Sequence, residues 1–223
     1  MFSDLGKYLS DAGTRADIGT DLVDHIYLSL LPLVFGVVVA VPLGWVAHRF
    51  GRARGALLGV MNIVYTVPSI ALFVIIPVLI GSQILSPVNV IVALTIYTTA
   101  LLVRPITDAL DAVPAHVIAA ATAMGFRQWR RFLAVELPLS IPVLAAGMRV
   151  GSVSNISLVS VGALIGTGGL GGLFTDGFSR RYLPPIIVGI TLTLVLALVV
   201  DLLLVALRRA LTPWTRVQGV AVQ

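Results

Sequence analysis

The fold is decided by an uncharged stretch, residues 55–103, which read GALLGVMNIVYTVPSIALFVIIPVLIGSQILSPVNVIVALTIYTTALLV without one Asp, Glu, Lys or Arg. A second uncharged stretch lies between Asp24 and Arg49. A helix needs about 20 mainly apolar residues to cross the ~30 Å hydrocarbon layer of a membrane. Each stretch is long enough for at least one crossing, so the sequence indicates an integral membrane protein.

The composition of the whole chain agrees with this interpretation. Its 223 residues are 58% hydrophobic and 11% charged, whereas a soluble domain carries about 25% charged residues. Because so few ionisable groups cannot cover a water-soluble surface, lipid is the expected solvent for most of the chain. The net charge of +5 could suggest nucleic-acid binding, but the arginines gather at the ends of apolar segments, where membrane topology explains them better.

Five membrane spans are predicted from the apolar segments and the turn residues between them. They cover about Ile26–Ala47, Ala56–Ile80, Val88–Ala109, Pro138 to beyond Val150, and Pro185–Leu207. The segment 162–172 contains six glycines in eleven residues and would make a poor lipid-facing helix. Irregular backbone at membrane depth is tolerated only where protein or water satisfies it. We therefore expect this segment to form an extracytoplasmic bend or a partly re-entrant segment facing the pore.

Basic residues predict how the chain is oriented, because short cytoplasmic loops collect Lys and Arg. An odd number of spans requires the termini to lie on opposite sides, and the charges agree with the N-terminus outside and the C-terminus inside. We expect residues 1–23 to form an extracytoplasmic segment that is no signal peptide, 24–208 the transmembrane domain, and 209–223 a cytoplasmic tail. The ten basic residues expected on the cytoplasmic side are Arg49, Arg52, Arg54, Arg104, Arg127, Arg130, Arg131, Arg208, Arg209 and Arg216.

The cytoplasmic segment between the third and fourth spans, residues 113–138, is long for a connector. Pro114 suits the first turn of a helix, and the four alanines within residues 119–123 favour that helix and expose little side chain. Gly125 allows a sharp turn that other residues resist. A second helix is predicted from the spacing of Phe126, Trp129, Phe132 and Leu133.

In this segment the chain resembles the permease subunits of ABC importers. Their hallmark is Glu-Ala-Ala, three residues, Gly, nine residues, then an aliphatic residue, any residue and Leu-Pro. Ala119 stands where the family usually has Glu. The resemblance implies the type I ABC importer permease fold, an all-α, multi-pass protein of the bacterial inner (plasma) membrane with about five transmembrane helices and a cytoplasmic coupling-helix loop. The positions in register are Ala120, Ala121, Gly125, Val135, Leu137 and Pro138.

Further segments look like the glycine betaine/carnitine/choline branch of these permeases. The resemblance implies that the chain translocates a quaternary ammonium osmoprotectant, and Tyr65 stands where Gln is common in that branch. Methionine importers share much of the pattern, so an amino-acid permease is the alternative. The segments are 25–30 (HIYLSL), 41–44 (VPLG), 62–69 (NIVYTVPS), 137–143 (LPLSIPV) and 162–171 (GALIGTGGLG).

The chain has no GxxxxGK[ST] phosphate-binding loop, so the resemblance implies that a separate subunit hydrolyses ATP. We expect this chain to be no enzyme and to bind no cofactor, with ATP and Mg held by the partner ATPase. The expected partners are an ABC ATPase dimer, a second permease subunit, identical or homologous, an extracytoplasmic solute-binding protein and the lipid bilayer, but no nucleic acid. The residues expected to contact the ATPase are Ala119, Ala120, Ala121, Met124, Gly125, Phe126 and Trp129.

The translocation path is expected among polar and small residues of the second to fourth spans. Two tyrosines of this set would each attract a quaternary ammonium ion by about 0.5–2 kcal/mol through cation–π contact, although packing is their commoner role. Polar residues in such helices are also more often contacts between helices than contacts to solute, and the proline is a kink, a gate or both. The expected residues are Asn62, Tyr65, Thr66, Pro68, Ser69, Tyr97, Asn155 and Ser157.

Two other classes of function fit less well. An ion-coupled secondary transporter usually carries inverted repeats and intramembrane ionisable residues, for which Arg149 and Asp201 are the candidates. We expect Arg149 to extend toward the inner leaflet surface or to pair with Glu136 or Asp201, rather than to act as a pore charge. An intramembrane enzyme would need a nucleophile–base pair or metal ligands at membrane depth, yet the chain has no cysteine, and its three histidines lie far apart. No catalytic or metal site is predicted.

Overall fold

The computed structural model describes residues 2–214, with side chains from Asp4 onward, and confirms an all-α membrane fold. The helices are α1 (Phe2–Ser10), α2 (Ala12–Arg49), α3 (Gly51–Thr66), α4 (Ser69–Ile80), α5 (Pro87–Asp111), α6 (Ala115–Ala123), α7 (Gln128–Arg131), α8 (Leu137–Gly162), α9 (Gly171–Ser179) and α10 (Leu183–Leu211). A π-helical turn, Phe132–Glu136, joins α7 to α8, and a 3₁₀ turn, Ala163–Ile165, follows α8.

Four helical units of the described chain are long and apolar enough to cross a membrane: α2, α5, the continuous stretch 128–165 and α10. The predicted second span, Ala56–Ile80, is not straight, because α3 and α4 meet at a bend of 101°. The bend follows from Pro68, which lacks an N–H and disfavours helical backbone in the residue before it. Val67 is accordingly extended, with φ −64° and ψ 129°. The predicted second span is therefore a broken helix pair, and counting it as one crossing gives five candidate spans.

The centre of the bundle is the contact between α2 and α5, where glycines allow the two backbones to approach closely. An added Cβ at Gly36 would lie 2.6 Å from the side chain of Thr98, and one at Gly44 would overlap Ile106. Small residues at helix crossings are a common packing device in membranes. α8 lies against α2 and α5, and α10 lies against α8, but most of the surface of α8 and α10 is left uncovered by this chain.

The N-terminal segment is helical and packs against the start of α10. The Tyr8 and Tyr182 rings meet edge to face, with centroids 6.0 Å apart. Asp11 caps α2 by accepting the Thr14 N–H at 2.7 Å and the Thr14 hydroxyl at 2.8 Å. These hydrogen bonds hold the pKa of Asp11 below its usual value. The helix that carries the first span therefore begins at Ala12, well before the predicted start at Ile26.

An ionic cluster ties α2, α3 and α5 together where the predicted cytoplasmic loop begins. His48 Nδ1 lies 2.6 Å from Asp111 Oδ1, and the guanidinium of Arg54 contacts both Asp111 and Asp108, the latter at 3.4 Å. Because α6 begins four residues after Asp111, this cluster fixes the base from which the next segment projects.

Candidate functional site

The first candidate site is the elbow, residues 113–138, which projects between α5 and α8. Pro114 precedes α6, and its carbonyl accepts the N–H groups of Val117 and Ile118 at 3.0 and 3.3 Å. The exposed positions of α6 are mostly alanine but include His116 and Thr122, while Ala121, on the opposite side, is buried. Since alanine adds only a methyl group, another protein can approach this helix to within backbone distance. We call Ala119, Ala120 and Ala123 the alanine face.

A glycine turn ends α6 as the sequence predicts. Gly125 has φ +80°, a conformation that strains any residue with a Cβ. The Phe126 N–H donates to the Ala121 carbonyl at 3.2 Å, which closes the turn. Met124 before the turn is 70% exposed and Trp129 after it is 61% exposed, so both remain available to a partner. Phe126 is half-buried, under the Arg130 guanidinium at 5.4 Å from the ring centroid.

Arg131 links the elbow to α8, a contact that the sequence analysis did not anticipate. Its Nε donates to Glu136 Oε1 at 2.6 Å, and its Nη1 donates to Thr122 Oγ1 on α6 at 2.8 Å. The Glu136 side chain is only 3% exposed, so the ion pair is shielded from water. The Ser140 hydroxyl contacts the Glu136 carbonyl at 2.7 Å and the Ala109 carbonyl at 3.3 Å. We call Thr122, Arg131 and Glu136 the brace, since it couples α6 to α8.

The second candidate site is the predicted path, and the break between α3 and α4 brings part of it together. The rings of Tyr65 and Tyr97 pack with centroids 5.6 Å apart and a tilt of 57°. The Tyr97 hydroxyl donates to the Val67 carbonyl, which the break leaves outside the helical ladder. Tyr65 is 44% exposed, so the ring pair marks an accessible point on the surface of the broken pair.

The other predicted path residues lie in two different settings. Asn62 and Thr66 are exposed one turn apart on α3, next to the exposed Pro68, while Ser69 is half-buried and Ser157 is exposed on α8. Asn155 lies inside the bundle, where it accepts the Thr98 hydroxyl at 2.9 Å and donates to the Ser29 carbonyl at 3.1 Å. In this conformation Asn155 joins α2, α5 and α8.

Arg149 pairs with Asp201, one of the two partners expected from the sequence. Its Nε lies 2.5 Å from Asp201 Oδ1, and its Nη2 lies 2.8 Å from Oδ2, so the contact is bidentate. The pair joins α8 to α10. Both side chains remain partly exposed, at 42% and 24% respectively.

The glycine-rich segment forms the expected bend and is pinned by His25, which sequence reasoning left as a structural residue. Gly166 and Gly169 adopt φ +82° and +91°, where glycine is favoured. The Leu170 N–H donates to His25 Nδ1 at 3.2 Å, and His25 Nε2 lies 2.9 Å from the Ile156 carbonyl. Since Nδ1 accepts, the proton must sit on Nε2, and the buried ring is neutral with both nitrogens satisfied.

The contacts missed by sequence reasoning join separate helical elements, at separations from five residues for Arg131–Glu136 to 145 for His25–Leu170. In the sequence, the one indication of the brace is that Arg131 and Glu136 flank an otherwise apolar segment. Within residues 2–214, no group of three His, Asp or Glu side chains is placed to hold a metal ion.

Comparison with known proteins adds to this geometry. Residues 33–213 match the family described as binding-protein-dependent transport system inner membrane component. The chain is similar to the glycine betaine/carnitine/choline transport system permease protein OpuCB of Bacillus subtilis, with 33% identity over 85% of this chain and 86% of that protein. It is also similar to the osmoprotectant import permease protein OsmW of Salmonella typhimurium, with 34% identity over 92% and 95%.

Solved structures share the fold. An inward-facing form of the MetNI methionine ABC transporter matches with a TM-score of 0.82 and 21% identity, over 91% of this chain and 99% of that chain. An amino acid ABC transporter crystallised with histidines matches with a TM-score of 0.70 and 18% identity, over 91% and 98%. At such identities the likeness is one of fold.

Proposed function

This chain belongs to the family of binding-protein-dependent transport system inner membrane components, and from that premise we propose that it is the permease of an ATP-driven importer of quaternary ammonium osmoprotectants. The observation that carries the proposal is the elbow. It presents an exposed alanine face on the outside of the bundle, and the brace fastens that face to a membrane-spanning helix. This is the arrangement needed to receive force from another polypeptide.

The proposed coupling runs from the alanine face to α8. A separate ATPase subunit would bind α6 in a cleft, where the small side chains permit close approach, and Met124 and Trp129 would contact its rim. Closure of the ATPase pair on ATP would displace α6. Because Arg131 bonds both Thr122 and Glu136, α8 would move with α6 as one rigid body, which is the kind of motion that alternates access to the two sides.

The proposed solute rests on the relatives and on the tyrosine pair. Relatives named for glycine betaine, carnitine and choline transport, or for osmoprotectant import, are 33–34% identical over most of the chain. The exposed Tyr65 ring beside Tyr97 offers the aromatic face that attracts a quaternary ammonium ion. Among the comparisons, the alternative that this chain transports methionine is supported only by the similarity of its fold to the MetNI transporter.

The remaining partners and the orientation belong to the same proposal. The uncovered surfaces of α8 and α10 leave room for a second permease subunit, which would close a path between the two copies. An external binding protein would deliver the solute to the side opposite the elbow. The basic cluster at Arg49, Arg52 and Arg54 and the arginines of the elbow would face the cytoplasm, with the N-terminus outside.

Transport by the assembled complex tests the proposal. The chain would be co-expressed with an ABC ATPase and a solute-binding protein from the same organism, purified, and reconstituted into proteoliposomes with labelled glycine betaine outside. Uptake is expected only with ATP and binding protein present. Uptake that ignores ATP and follows a proton or sodium gradient would instead establish a secondary transporter.

A matched pair of variants tests the docking surface. Ala120→Trp places a large ring on the alanine face and is expected to abolish ATP-driven uptake. Ala16→Trp makes the same change at an exposed alanine of α2, outside the elbow, and is expected to leave uptake unchanged. Full uptake by the Ala120→Trp complex would contradict docking through α6.

A further inference from the structure

The Arg149–Asp201 pair lies within two membrane-spanning helices, α8 and α10, yet its own chain does not bury it. Arg149 is twelve residues from the start of α8 and thirteen from its end, which places it about 18 Å from either end at 1.5 Å per residue. Asp201 is ten residues before the end of α10, about 15 Å along the axis. Both charges therefore lie inside the apolar parts of their helices, where contact with lipid is costly.

The Arg131–Glu136 ion pair of the same chain provides a comparison, because its own chain shields it from water. The Arg131 and Glu136 side chains are 19% and 3% exposed, whereas those of Arg149 and Asp201 are 42% and 24% exposed. Charged groups inside a membrane almost always face protein or a water-filled cavity, because contact with lipid is costly. The open side of the Arg149–Asp201 pair therefore does not face lipid in the assembled protein.

A cleft of about 530 Å³ lies over this pair between α8 and α10. This volume falls in the range of small-molecule sites, about 300–1,000 Å³. Its walls combine the two charges with the Ser154 hydroxyl and with apolar side chains from α8. A cleft with a charged floor and aliphatic walls suits a small solute that carries both a charge and methyl groups.

The guanidinium of Arg149 retains donors toward the cleft. It uses one N–H on Nε and one on Nη2 to hold Asp201, while an arginine carries five N–H donors in all. Both donors on Nη1 and one on Nη2 thus remain for a ligand. Asp201 fixes the plane of the guanidinium, so that its free edge is already oriented for a bidentate contact with a carboxylate.

We propose that this cleft is a hydrated solute subsite in which Arg149, oriented by Asp201, binds the carboxylate of a zwitterionic solute. Val150 and Val153 form the apolar wall against which the methyl groups of a betaine would lie. The inference rests on the proposed function for the identity of the solute. Whether the cleft contains water does not depend on which solute the protein transports.

Thiol accessibility tests the hydration directly, and the chain is suited to it because it has no cysteine. Val150→Cys places a thiol in the cleft, and Leu202→Cys places one on α10 outside it. The two native side chains are 58% and 57% exposed in the isolated chain, so the pair is matched. In the assembled complex, a charged thiol reagent is expected to modify Cys at 150 at least about tenfold faster than Cys at 202. Equal modification rates at the two positions would overturn the proposal, because a hydrated cleft exposes the thiol of Val150→Cys to the reagent.

Two solutes test the carboxylate contact, since choline and glycine betaine share a trimethylammonium group and only the latter carries a carboxylate. A charge-assisted hydrogen bond that is lost costs about tenfold or more in binding. In proteoliposomes containing the full complex, Arg149→Gln is expected to lower glycine betaine uptake about tenfold relative to choline uptake. The double variant Arg149→Gln/Asp201→Asn strands no charge and is expected to show the same selectivity change, even if the single variant assembles poorly.

The outcomes separate this inference from the proposed function. Equal loss of both solutes, or unchanged glycine betaine uptake in the double variant, would overturn the carboxylate site while wild-type transport still stands. If the wild-type complex moves neither solute, the proposed function fails, and the ratio of thiol modification rates at positions 150 and 202 still decides whether the cleft is hydrated.

Discussion

Replacing Arg131 by Met should loosen the elbow without unfolding the bundle. Met keeps much of the aliphatic stem but removes every donor, so Glu136 and Thr122 both lose their partner. Breaking a buried ion pair by removing one member costs about 3–5 kcal/mol. Because the Arg131 side chain is 19% exposed, we take the lower value, about 3 kcal/mol. At about 1.4 kcal/mol per factor of ten, local opening of the elbow segment 122–136 should become about a hundredfold more frequent.

Hydrogen exchange of the assembled complex measures this opening. The amides of residues 122–136 should exchange about a hundredfold faster in Arg131→Met than in the wild type, while those of α5 should be unaffected. Uptake per ATP hydrolysed should fall in parallel, because an unbraced α6 no longer moves α8. Arg130→Met is the neighbouring control, since it removes only a cation–π contact with Phe126, worth about 0.5–1 kcal/mol.

The double variant Arg131→Met/Glu136→Leu separates the ion pair from the stranded charge. Replacing both members by apolar residues of similar size is often neutral for stability, so slow exchange in residues 122–136 should largely return. The prediction is wrong if Arg131→Met exchanges like the wild type in residues 122–136, or if it retains full uptake per ATP.

Three further changes address the turn, the helix crossing and the glycine-rich segment. Gly125→Ala meets no atom within 4 Å but must adopt φ +80°, which should lower the stability of the complex by about 1–2 kcal/mol in thermal denaturation; an unchanged midpoint would contradict this. Gly44→Ala forces Ile106 aside and should cost about 1–3 kcal/mol, seen as reduced recovery of folded protein, whereas Gly59→Ala meets open space and should behave like the wild type. His25→Phe leaves the Leu170 N–H without its hydrogen-bond acceptor and should speed proteolysis or hydrogen exchange within residues 162–172, by an amount that reflects about 1–3 kcal/mol; wild-type protection there would show that the histidine does not pin the segment.

Several features of the elbow could be predicted from local residue chemistry. The tendency of alanines to form helix and the tolerance of glycine for positive φ are properties of single residues, so α6 and the turn at Gly125 lie where the sequence predicts them. The predicted second helix is present but continues through a π-helical turn into α8. Pro138 thus lies in the first turn of α8 instead of starting a separate element, because proline is tolerated there.

Other features depended on contacts that periodicity does not encode. Pro68 allowed a kink to be expected, but the 101° angle depends on what packs on both sides, including Tyr97 on α5. Asn155 and Ser157 look alike as polar residues in one span, yet one is buried and the other exposed, because the rotation of α8 about its axis is set by α2, α5 and α10. Ala121 is buried while Ala119 and Ala120 of the same helix are exposed, because α6 packs on one side against α7 and the π-helical turn.

Hydropathy, helix breakers and motif spacing act over short distances, so they were enough to predict an all-α membrane protein with about five crossings and an elbow between the third and fourth spans. The folded chain was needed to show that Arg131 contacts both Thr122 and Glu136, that His25 pins a glycine bend and that Arg149 meets Asp201. Those partners lie up to 145 positions apart in the chain. Which side chains meet over such distances depends on how the helices rotate and cross, and packing against several neighbours at once fixes that arrangement.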